Sequence, residues 1–153
     1  MDMGIALALH LLAAVVWVGG MFFAFVVLRP TAATALEAPD RLRLWSAVLA
    51  VFLRWVMGAI TVLLLTGYWM LFGKFGGFAG AAPYIHIMHG LGLIMVAVFG
   101  HTYSAPFKRM AALVANSDWE GGAQQLAKVR GFVAGNLALG IIILVVVAVG
   151  RSV

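Results

Sequence analysis

Four long apolar stretches constrain this chain more than anything else in it. Each is long enough, at 1.5 Å per residue, to cross a hydrocarbon core of roughly 30 Å as a helix. In lipid, every backbone N–H and C=O must be satisfied within its own segment, so such stretches fold as helices. The stretches predict helices over about 4–28, 41–72, 84–104 and 131–149. With 65% hydrophobic and only 10% charged residues, the composition fits this reading, since a soluble domain carries roughly 25% charge. The expectation is an all-α integral membrane four-helix bundle, with residues 1–153 forming one transmembrane domain in the lipid bilayer.

The start, Met1-Asp2-Met3-Gly4, lacks a basic n-region, and the apolar run continues without a small-residue cleavage site. The first stretch therefore reads as a retained spanning helix rather than a signal peptide. Arg29-Pro30 is expected to stop it. Pro106 is expected to follow the end of the third helix, and Pro106 to Arg130 reads as a long polar connection with a short amphipathic helix at Met110 to Val114.

The two connections on one side hold Arg29, Arg41, Arg43, Lys108, Arg109, Lys128 and Arg130; the opposite side holds only Lys74 and Arg151. The positive-inside rule puts the first set in the cytoplasm and both termini on the periplasmic side of a bacterial inner membrane. The net charge of +5 is thus membrane topology, and no nucleic-acid face is implied. The absence of cysteine excludes disulfides, thiolate metal sites and covalent c-type haem. Haem b, copper through His and Met, or no cofactor at all remain.

The chain has four histidines, all inside apolar stretches or at their rims, where an ionisable side chain is costly without a partner. Counting residues from the helix ends puts His10, His86 and His89 within roughly 10 Å of the outer surface. Met21, Arg54 and His101 fall roughly 25–27 Å from it, near the cytoplasmic boundary. An outer cluster and an inner cluster follow. His10 and Met21 are eleven residues apart and share a helix face, as His86 and His101 do less closely. Competing readings are interfacial anchoring for His86, His89 and His101, snorkelling to the headgroups for Arg54 and core packing for Met21. Asn136 is expected to hydrogen-bond to a neighbouring helix.

The stretch Ala8-Leu9-His10-Leu11-Leu12 through Val16-Trp17-Val18-Gly19-Gly20-Met21-Phe22 resembles the opening of the CopD-like membrane proteins (copper resistance D domain) and of the related HemJ-type protoporphyrinogen oxidases. Leu53-Arg54, Leu65-Thr66-Gly67-Tyr68-Trp69, Tyr84-x-His86 and Gly100-His101 resemble later marks of the HemJ type. The resemblance implies a four-helix bundle able to hold haem b, with His10 as first-helix ligand. Met88 stands where the HemJ type carries lysine, which argues against protoporphyrinogen oxidation. The CopD type proper is longer and associated with copper uptake.

Three functions follow as expectations. The first is a haem b protein, iron held by His10 and by His86 or His89, acting as an oxidoreductase in electron transfer with a quinol, superoxide or a porphyrinogen. His101, Arg54 and Met21 would serve a second haem or a quinone. The second is copper handling at an outer site of His86, Met88, His89 and His10 with Met1 and Met3. The third is a cofactor-free structural or assembly subunit. The Gly-rich faces would permit a homodimer.

Overall fold

A computed structural model of the chain describes residues 2–152. Four helices make up nearly all of it: α1 (Met3–Ala35), α2 (Ala38–Phe75), α3 (Pro83–Ala115) and α4 (Trp119–Gly150). A single 3-10 turn, Phe78–Gly80, interrupts the link between α2 and α3. All four helices are long and apolar enough to cross a membrane, and there is no strand among the described residues. The chain is a multi-pass membrane protein.

The helices begin where local chemistry allows. The Asp2 carboxylate accepts from the N–H groups of Gly4 and Ile5 at 2.8 and 3.3 Å, and Asp118 accepts from Gly121 N–H at 2.9 Å. Both supply acceptors to otherwise orphaned first-turn donors. Proline opens α2 and α3 in their first turns, where its missing N–H costs nothing. Gly76, at φ +67, ends α2 in the left-handed conformation, which glycine adopts without a Cβ penalty.

The predicted helix ends are corrected in three places. Pro30 does not stop α1, which continues to Ala35. A π-helical stretch, Phe23–Leu28, precedes it. The wider i→i+5 turn relieves the proline ring's clash with the preceding turn and the loss of its N–H. Pro106 lies inside a second such stretch, Tyr103–Phe107, so α3 also runs on, and Met110 to Val114 is part of it. The polar segment before Arg130 is likewise the first third of α4, because Asp118 caps it at Trp119. Asn116–Asp118 remains as the turn between them.

The helices are therefore longer than a bilayer is thick. At 1.5 Å per residue the 38 residues of α2 span about 57 Å. One end of the bundle projects beyond the apolar zone and keeps its own core of Leu42, Trp45, Met110, Val114 and Leu126, surrounded by seven of the ten Lys and Arg residues. In the middle, Trp17, Met21, Val56, Met95 and Phe99 are buried, with the Trp17 and Phe99 rings edge to face at 6.3 Å. The most apolar windows of the helices are only 17–28% buried. Side chains such as Leu12, Trp55 and Leu65 point outward at 62%, 67% and 68% exposure, as a lipid-facing surface requires.

α1 packs chiefly on α2, and α3 on α4; α4 closes against both α1 and α2. Gly140 makes one close approach possible: a Cβ there would lie 2.9 Å from Val18 Cγ2 and 3.4 Å from Met95 Cε. One turn earlier, Asn136 Nδ2 donates to the Met95 carbonyl at 3.1 Å, the interhelical hydrogen bond expected of it.

Candidate functional site

His10 sits half-buried on the seam between α1 and α2. Its Nδ1 is 2.9 Å from Thr66 Oγ1. The Thr66 hydroxyl gives its one proton to the Val62 carbonyl at 2.6 Å, so it accepts from His10 Nδ1–H. That fixes the neutral tautomer and leaves Nε2 with its lone pair. The ring edges close to Gly67, where a Cβ would come 3.2 Å from His10 Cε1. Met3 follows on the same seam, its Cε 2.6 Å from where a Cβ on Gly73 would be.

His86 and His89 stand one turn apart on α3, and one aromatic ring joins them. Phe78, carried by the 3-10 turn, lies 6.0 Å from the His86 ring and 5.1 Å from the His89 ring, centroid to centroid. Tyr68 of α2 meets His89 edge to face at 5.6 Å, and Phe72 contacts both Tyr68 and Phe78. His86 Nε2–H donates to the Ala81 carbonyl at 3.2 Å, so its Nδ1 is the free nitrogen of the neutral ring. His89 is half-buried, and among the described residues neither of its nitrogens has a hydrogen-bond partner. Met88 lies about 100° around the helix from His89 and so leaves that face.

The outer histidines share a depth but not a side. Thr66 and Gly73 are seven residues apart, so they share one face of α2, the face turned to His10 and Met3. Tyr68 and Phe72, which meet the Phe78–His89 group, point roughly 120–160° away from Thr66. His10 and the His86–His89 pair therefore meet different faces of α2. Among the described residues no three His, Asp or Glu side chains gather as a metal cage. Met1 lies outside the described residues.

The inner cluster is not assembled either. Met21 is 2% exposed and fills the core. Arg54 is exposed, its Nε donating to the Ala50 carbonyl of its own helix at 3.0 Å. His101 is exposed and rests edge to face on Phe132 of α4 at 4.9 Å.

This geometry bears directly on the cofactor. His10 is turned to Thr66 and His89 to Tyr68 and Phe78, so the geometry does not set them face to face as an axial pair for a haem b. A copper ion asks for less. Imidazole suits it, Cu(I) tolerates low coordination, and the His86–His89 pair offers a free Nδ1 on one ring and two unpartnered nitrogens on the other.

Comparison with known families matches residues 46–150 to CopD, Copper resistance protein D. The chain belongs to the CopD family. The match takes in α2 from Ser46, the Phe78 turn, α3 and all of α4, so Tyr68, Phe78, His86 and His89 lie inside it and His10 does not. No curated protein and no solved structure matches the chain. Two parts of the site escaped the sequence reading. Thr66 carried a signal, being a hydroxyl beside a glycine in an otherwise apolar helix. Phe78 carried none, because nothing in a Gly-rich loop says which side chain folds back.

Proposed function

We propose that this CopD-family protein handles copper, taking Cu(I) at the outer end of the bundle on His86 and His89. The observation that carries the reading is the pair itself: two imidazoles on one face of α3, held around Phe78 and without a competing carboxylate partner, within the stretch matched to the copper resistance family. A site of two imidazoles and an open side exchanges its ion readily, which suits transfer better than storage. Phe78 and Tyr68 add aromatic faces that attract a cation. His10 and Met3, across α2, form a separate seam, where Thr66 holds His10 and leaves Nε2 available. The bias of Lys and Arg toward the other end supports a copper site on the periplasmic side of a bacterial inner membrane.

The test compares cells carrying an empty vector, the wild-type chain or the His86→Ala/His89→Ala variant, at matched membrane levels. Copper content and copper tolerance are read together. The wild type is expected to shift both relative to the vector, and the double variant to lose the shift. A double variant indistinguishable from wild type removes the pair from the function.

A further inference from the structure

The opposite end of the bundle has a feature that copper does not use. A narrow crevice, open to the surroundings, lies where α1, α2 and α4 meet. Its deeper wall is apolar, formed by Ala24, Phe25, Leu49, Phe52 and Val133. Its rim is formed by Arg29 and Arg130, beside Trp45. The wall belongs to the spanning zone and the rim to the basic end, so the crevice crosses the level at which hydrocarbon gives way to headgroups.

The rim is short of acceptors. Trp45 is 3% exposed and its Nε1–H is buried without a partner; Arg130 Nε is in the same state. Buried donors in native proteins are nearly always paired, so two such groups at one crevice call for an acceptor. The Arg130 guanidinium lies over the Trp45 ring at 5.4 Å, and that of Arg29 over Phe25 at 5.0 Å. Arg29 and Arg130 both line the crevice, so two positive charges meet at its rim. No carboxylate answers them. Among the described residues the one ion pair is Arg43 with Asp40, on the exposed surface, and Asp118 is committed to capping α4.

We infer that this crevice binds an anionic phospholipid, its phosphate held by Arg29, Arg130 and the Trp45 N–H, and its acyl chain laid along the apolar wall. Guanidinium recognises phosphate by paired N–H donors as well as by charge. A free phosphate would answer the donors but leave the wall unused. An anionic lipid answers both, and such lipids are enriched on the side of the membrane that the basic end faces by the positive-inside rule. The inference is independent of the copper reading, since the crevice shares no residue with the His86–His89 pair.

Native mass spectrometry of the full chain in mild detergent tests it, with phosphatidylglycerol, phosphatidylcholine or inorganic phosphate added. Wild type is expected to retain one phosphatidylglycerol in preference to phosphatidylcholine. Arg29→Gln/Arg130→Gln is expected to lower that preference about 30-fold, at about fivefold per arginine. Trp45→Phe keeps the ring packing and removes only the N–H; it is expected to lower retention severalfold, and it provides a second test should the arginine variant fail to fold. Lys108→Gln/Arg109→Gln removes the same charge at the same end, away from the crevice, and is expected to retain the lipid. Equal retention of the two lipids overturns the inference, as does equal loss in the Lys108/Arg109 control. Displacement of the lipid by inorganic phosphate would show a free-phosphate site instead and also overturn it.

Discussion

Replacing Thr66 by valine probes the seam that orients His10. Valine keeps the β-branched shape in a position that is 3% exposed, so packing changes little. What is lost is the acceptor for His10 Nδ1–H at 2.9 Å. Interhelical hydrogen bonds in membrane proteins average about 0.6 kcal/mol and reach about 1.7. An orphaned buried donor adds to this, at about 1–3 kcal/mol in soluble proteins. His10 is only half-buried, so the lower part of that range applies, and the expected loss is about 1 kcal/mol. The assay is reversible unfolding in mixed micelles with a denaturing detergent, run as a double-mutant cycle with His10→Phe. Thr66→Val and His10→Phe should each destabilise, and the double variant should cost about 1 kcal/mol less than their sum. Strict additivity would show that Thr66 does not hold His10, and the argument for a fixed tautomer would fall with it.

Gly140→Ala pushes a methyl into Val18 and should cost about 1–3 kcal/mol in the same unfolding assay. Gly135→Ala, which meets nothing within 4 Å, should be neutral or stabilise by up to about 1 kcal/mol. Met21→Leu is close to volume-conserving in a packed core and should leave Cu(I) affinity unchanged, as should His101→Ala and Arg54→Gln; chelator competition checks all three. Protein expressed with ample haem should show no resolved α and β bands of a bis-imidazole haem in its dithionite-reduced spectrum, because His10 and the α3 histidines meet different faces of α2.

The four helices were legible because length and apolarity alone decide what crosses a bilayer. Their ends were not. Pro30 and Pro106 read as stops, yet each is absorbed by a π-helical stretch. The polar run before Arg130 read as a connection, yet Leu126 and Val129 are buried there, and it is helical because it packs. The candidate site was legible in one dimension. Residue counting put His10, His86 and His89 at a common depth, and the bundle keeps His86 and His89 together. Counting says nothing about direction around a helix, so it could not see that His10 and the α3 pair meet different faces of α2. Met21, Arg54 and His101 were likewise matched by depth and then scattered by direction: one into the core, two onto the exposed surface. Arg29, Arg130 and Trp45 show the reverse case. They are far apart in sequence, the two arginines reading only as topology charges, until packing brings them to one crevice with Trp45.

Copper binding by His86 and His89 is measured most directly by an anaerobic Cu(I) titration of the detergent-purified chain against a chromogenic chelator, with X-ray absorption on the loaded sample. The expected result is one tightly held Cu(I) coordinated by imidazole nitrogen, lost in His86→Ala and His89→Ala and retained in His10→Ala. No bound copper, or copper held equally well after both α3 histidines are removed, would contradict it.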